Sequence, residues 1–176
     1  MHGLDQSGRR PGLLGKDAAV KEDEDNGKLS IRILFVCTGN TCRSPMAQAI
    51  AEDCIARLAP QKAEISVDSA GVAAGEGHGA SLEAVDVLSE RGIDLSGHRS
   101  KGLTNALIDQ ADVIFAMTPS HANAVVQLSP ESENKIFLLD SAHPIADPIG
   151  HPIGVYRDVA DQLDVLIKLK IEEMLA

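Results

Sequence analysis

From residue 31 onward the chain alternates short apolar runs with segments whose apolar residues recur every three or four positions. Ile31-Arg32-Ile33-Leu34-Phe35-Val36 has the length and content of a strand buried on both faces. Beyond the loop at 37–43, Met46, Ile50, Cys54 and Leu58 recur at four-residue spacing, which predicts the inward stripe of a helix over 45–58. Ser44 stands where a cap would, and Pro45 suits a first helical position. A second strand is expected at 65–69, then a helix over 81–91 stopped by Gly92, and a short helix at 103–109. A third buried strand is expected at 113–117, a helix opened by Thr118 and Pro119, and a fourth strand at 135–139. A loop rich in Pro, Gly and His at 141–154 leads into a last helix over 156–175. This order predicts a three-layer α/β/α fold with a four-stranded parallel twisted sheet.

Residues 1–29 break that pattern. They are rich in Gly and charged residues, include Glu22-Asp23-Glu24-Asp25, and show no sustained apolar period. Such a segment buries too little to offset its ordering entropy, so a disordered acidic extension is expected, followed by one folded domain over 30–176. Aromatic residues make up 2% of the chain, which leaves few rings to stack on bases. The formal net charge of −10 disfavours phosphate backbones and anionic headgroups, so neither nucleic acid nor a membrane is an expected partner. No apolar stretch approaches the ~20 residues of a membrane span, and Leu13-Leu14 is no secretory core. Three cysteines, an odd number, suit a reducing cytoplasm better than a disulfide framework.

The segment Cys37-Thr38-Gly39-Asn40-Thr41-Cys42-Arg43-Ser44 joins the first buried strand to the first helix, where open α/β sheets bind ligands. Gly39 lets the loop curl so that successive N–H groups turn inward and form an anion nest, to which the helix adds its positive end. That makes a phosphate-binding loop of residues 38–44. The same positive potential favours the thiolate form of Cys37, a nucleophile. Arg43 carries a planar fork suited to clamping two phosphoryl oxygens. The hydroxyls of Thr38 and Ser44 could hydrogen-bond the thiolate. Cys42, a second thiol on the same loop, could form a reversible disulfide with Cys37, whereas Cys54 lies on the helix stripe and reads as core.

Phosphoryl transfer to sulfur needs an acid to protonate the leaving group, and a carboxyl group can return as base for water. Asp140, Asp147 and Asp158 are candidates. Asp147, stiffened by Pro148, is preferred because its loop can fold over the strand ends. The loop lacks G-x4-G-K-[ST], so no nucleoside triphosphate is implied. No second Cys/His pair at suitable spacing accompanies Cys37 and Cys42, so neither metal nor cofactor is expected.

The runs Val-Cys-Thr-Gly-Asn-Thr-Cys-Arg-Ser-Pro-Met-Ala, Val67-Asp68-Ser69-Ala70-Gly71 and Asp147-Pro148 resemble the low-molecular-weight protein tyrosine phosphatase family, in this order and over most of the chain. The resemblance implies a protein phosphatase acting on a phosphorylated protein, with Cys37 as nucleophile, Arg43 as phosphate clamp and Asp147 as acid. It also implies that Asn40, Ser44, Ser69 and His98 hold the loop in shape. Thr41 is similar to the bacterial protein arginine phosphatase branch, since tyrosine-directed members usually carry a bulkier aliphatic residue there and aromatic residues after Asp-Pro. Thr41 and Ile149 are therefore the expected specificity positions, although arginine-directed members often have Phe where this chain has Ile149. Phosphoarginine is the expected substrate and phosphotyrosine the alternative. Arsenate reduction on the same oxyanion loop would need a relay of further cysteines, and a mere phosphate-binding module would lack the nucleophile or the acid.

Overall fold

The computed structural model describes residues 21–22, 29–58 and 63–175. Most of the extension expected at 1–29 lies outside them. Within it, Lys21–Glu22 (β1) pairs antiparallel with the start of Leu29–Cys37 (β2), through Lys21 with Ser30 and Glu22 with Leu29.

The apolar run is the sheet's central strand. Along β2, Ile31, Ile33 and Phe35 join one core cluster while Leu34 and Val36 join another. This is the two-residue alternation of a strand covered on both faces. Ala63–Gly71 (β3) pairs parallel with β2 along its whole length. Val113–Ala116 (β4) pairs parallel with its other edge, and Ile136–Leu138 (β5) pairs parallel with β4. The four parallel strands thus lie in the order β3-β2-β4-β5. Phe35 and Phe115 stack at 5.7 Å between ring centroids where β2 meets β4.

Arg43–Leu58 (α1), Leu82–Ser89 (α2) and the 23-residue Ile153–Leu175 helix close one side of the sheet. Tyr156, Val159, Ala160, Leu163, Ile167, Ile171 and Met174 form the last helix's buried stripe. Asn105–Gln110 (α3) and Pro119–Leu128 (α4) serve the other side, and the last helix is α5. Three helices begin with side-chain caps: Ser81 accepts from Ala84 N, Thr104 from Leu107 N and Thr118 from His121 N.

Two expectations for the first helix change. It begins at Arg43, two residues before the expected start, with Met46 N donating to Cys42 O at 3.1 Å. Ser44 therefore lies inside the first turn, and its hydroxyl serves the loop instead of capping the helix. The apolar stripe also runs out: Met46 and Ile50 are buried, Cys54 is half-buried and Leu58 is 42% exposed. A 3-10 turn at Pro130–Lys135, before β5, was not predicted. Among the described residues no helix is long and apolar enough to cross a membrane.

Candidate active site

Cys37 ends β2, and the loop behind it is built around Asn40. Asn40 is fully buried and holds φ at 54°, a left-handed conformation that Asn tolerates better than most residues. That turn lets its backbone N–H reach back to Cys37 Sγ at 3.3 Å. Its side-chain amide donates to Ser44 Oγ and to Ser69 Oγ, each at 2.9 Å, while its Oδ1 accepts from Lys101 N at 3.0 Å. Its backbone carbonyl meets His98 Nε2 at 2.7 Å. A carbonyl only accepts, so Nε2 of His98 carries a proton. Burial holds the His98 pKa below its ordinary value, its strongest cause, against the stabilising bond to Asn40.

The amide of Asn40 fixes the direction of the remaining bonds. Ser69 accepts from it and passes its own hydrogen to Gln48 Oε1 at 2.7 Å, while Gln48 Nε2 donates to Glu52 Oε1 at 2.9 Å. Ser44 also accepts from Asn40, leaving its hydrogen for Cys37 Sγ at 2.8 Å. Two donors, the Ser44 hydroxyl and the Asn40 backbone N–H, thus converge on the sulfur. The structure brings together the four residues of the resembled set and adds Gln48.

The second strand end locks the loop from outside. Val72 N donates to Cys37 O and Ala73 N to Thr38 O, both at 2.9 Å. A Cβ on Gly71 would press on the Thr38 carbonyl oxygen and stand 2.9 Å from Asn40 N, so only glycine fits there. Segment 101–103 flanks Gly71 in turn, with Gly71 N donating to Lys101 O and Leu103 N to Gly71 O. That contact brings His98 and Lys101 onto Asn40.

The opposite side of the site is formed by Arg43 and the loop after β5. Arg43, 5% exposed, donates through Nη1 to Ile145 O at 3.2 Å. Its Nη2 pairs with Asp147 Oδ2 at 2.9 Å and lies 3.4 Å from Thr38 Oγ1. Of the three candidate acids, Asp147 is the one joined to the loop. Asp140 accepts from His143 N and Ala142 N, bonds that hold its carboxyl below the usual range and suit a turn. Asp158 lies on the exposed side of α5.

Thr38 sits differently from expectation. Thr38's hydroxyl contacts His121 Nε2 at 2.8 Å and Arg43, and the recorded partners of the sulfur are Ser44 and Asn40. Cys42 is buried and aims its thiol at Ser81 Oγ, 3.3 Å away, with Tyr156 Oη at 3.8 Å. Burial, the main cause, pushes the Tyr156 phenol up to about 12. Thr41 is half-buried, its carbonyl taken by Ser81 N, and Ile149 is 59% exposed, its N–H on Asp147 Oδ1 at 3.2 Å. His121, absent from the sequence reading, is buried between Thr38 and Thr118. Its one signal was position, three residues after a capping threonine at a strand end.

The family described as low molecular weight phosphotyrosine protein phosphatase matches residues 32–174. The chain belongs to this family. A protein-arginine-phosphatase of Geobacillus stearothermophilus is 45% identical over 148 residues, 81% of this chain and 95% of the relative. A solved YwlE arginine phosphatase, with a cysteine mutated to serine and its active-site serine phosphorylated, superposes with a TM-score of 0.75 at 34% identity, covering 81% of this chain and 95% of that one. A low molecular weight protein tyrosine phosphatase from T. tengcongensis superposes with a TM-score of 0.75 at 44% identity, covering 81% and 98%. Relatives described by arginine and by tyrosine thus stand at nearly equal identity, and membership in this phosphatase family leaves the substrate to the residues around the loop.

Proposed function

We propose that this enzyme hydrolyses phosphoarginine in proteins through a phosphocysteine at Cys37. The carrying observation is the convergence of two donors on Cys37 Sγ, with Arg43 at the end of the same loop paired to Asp147 from the loop after β5. The sulfur attacks phosphorus, forming an S–P bond. The P–N bond breaks with its electron pair on the guanidino nitrogen, which Asp147 protonates. In the second step Asp147, now a carboxylate, takes a proton from water as its oxygen attacks phosphorus. The S–P bond then breaks, its electron pair returns to sulfur, and inorganic phosphate leaves. Ser44 and the Asn40 N–H stabilise the departing thiolate. Arg43 holds the phosphoryl oxygens as they gather charge, joined in this proposal by backbone N–H groups of the loop other than that of Asn40.

Thr41 and Ile149 support arginine as the substrate side chain. A hydroxyl at position 41 can accept from a guanidinium, which an aliphatic side chain cannot do. The residues after Asp147-Pro148 are Ile149 and Gly150, with no aromatic pair to sandwich a phenol ring. The 45% identity to a protein-arginine-phosphatase agrees with this choice. Thiolate chemistry needs a reduced Cys37, which fits the cytoplasm. Arsenate reduction is disfavoured: burial, the main cause, pushes the Cys54 thiol up and makes it a poor relay. The test compares kcat/KM on matched phosphoarginine, phosphotyrosine and phosphoserine peptides. Preference for phosphoarginine is expected, and a strong preference for phosphotyrosine would reverse the substrate assignment.

A further inference from the structure

We infer that His121 is a positioning residue that turns the Thr38 hydroxyl into a hydrogen-bond donor toward the bound phosphoryl group. The inference rests on the catalytic reading above and comes from following each proton. Thr118 caps α4 by accepting from His121 N, which leaves its hydroxyl hydrogen free. That hydroxyl lies 3.0 Å from His121 Nδ1, and of the two ring tautomers the one in which the oxygen donates and Nδ1 accepts leaves the unpartnered hydroxyl hydrogen on exposed Thr38 and not on half-buried Thr118. The ring proton then belongs on Nε2, which faces Thr38 Oγ1 at 2.8 Å. Protonating both nitrogens would undo this arrangement. Desolvation first, and then the Arg43 charge, hold the His121 pKa down to about 4, with Asp147 opposing them. The ring therefore stays neutral at physiological pH.

Thr38 Oγ1 now accepts from His121 Nε2 and, at 3.4 Å, from Arg43 Nη2. Both of its lone pairs are taken, so its hydrogen must point away from them. Thr38 is exposed and sits between the nucleophile and the clamp. A tetrahedral oxyanion held by the loop is an acceptor within its reach. Without His121 the hydroxyl could instead donate to a neighbouring acceptor and would have to reorient on each turnover. A donor aimed in advance stabilises developing charge without that reorganisation.

The experiment measures kcat/KM on a phosphoarginine peptide and on an aryl phosphate, the inhibition constant of orthovanadate, and Tm. It compares the wild type with Thr38→Val, Thr38→Ser, His121→Leu, His121→Gln and the Thr38→Val/His121→Leu double variant. Thr38→Val should lose about tenfold or more in kcat/KM on both substrates and weaken vanadate in proportion, while Thr38→Ser stays within about threefold. His121→Leu should lose severalfold, and His121→Gln, which restores a donor near the Nε2 position, should recover most of it. The double variant should match Thr38→Val alone, because a residue acting through Thr38 has nothing left to act on. Additive losses, or a Thr38→Val variant as active as wild type, overturn the inference. If His121→Leu does not fold, the two variants at exposed Thr38 still decide whether a donor is lost. A Cys37→Ser control separates the layers: full turnover by that variant would break the catalytic reading itself.

Discussion

The two sides of the phosphate loop are built on opposite principles. Behind Cys37 the supporting side chains are buried and bonded: Asn40, Ser44 and Ser69 are fully buried, and each hydrogen bond of the Asn40 side-chain amide fixes the next. Around Asp147 little is fixed. Its carboxylate is 46% exposed and rests on Arg43 and on the N–H of Ile149. On the proposed mechanism Cys37 must meet phosphorus from one fixed position, so rigidity serves it. On the same mechanism Asp147 must gain and lose a proton each cycle while substrate enters and leaves, so partial exposure and one breakable ion pair serve it better.

The contrast can be broken at its strongest point first. Cys37→Ser should lower kcat by about 10⁴-fold or more with an unchanged melting profile, measured by phosphate release and thermal denaturation. Asp147→Asn should cost about 10² to 10⁴-fold in kcat, most on substrates with poor leaving groups. It should change stability by less than about 1 kcal/mol, because the lost ion pair is half in water. Asn40→Ala should show the reverse balance, with stability falling by about 2–4 kcal/mol in denaturant melts as Ser44, Ser69 and the Lys101 N–H lose their partner. A melt unaffected by that change would remove the distinction between the two sides. Thr41→Ile should shift the ratio of kcat/KM toward phosphotyrosine by roughly tenfold.

The smallest effect expected is on stability against pH. His121 has a folded pKa of about 4, below its ordinary 6.5, so the unfolded chain binds more protons between those values. Its contribution is therefore complete above about pH 6.5 and declines as pH falls toward 4. His98 is shifted in the same direction. Tm measured across this window should drop by a few degrees on acidification, and His121→Gln should flatten part of that drop.

The legibility of the sequence divides along similar lines. The Ile31 to Val36 run announced a central strand because burial on both faces leaves no polar positions to blur it. That Cys37, Arg43 and Asp147 would meet at one site was readable from a strand end, a seven-residue loop and an Asp-Pro pair. Gln48 and His121 were not, since their importance lies in contacts across 21 and 83 residues of sequence, with Ser69 and Thr38 respectively. The start of α1 was misplaced for a related reason. Ser44 looks like a cap until its hydroxyl is seen to bond the sulfur, and the helix begins two residues earlier, at Arg43.

The chain has no tryptophan and a single tyrosine. That tyrosine, Tyr156, is buried with its phenol against the sulfur of loop residue Cys42. The protein consequently carries its own optical reporter: with no indole to mask it, Tyr156 emission should register oxyanion arrival or thiol oxidation in the unlabelled enzyme.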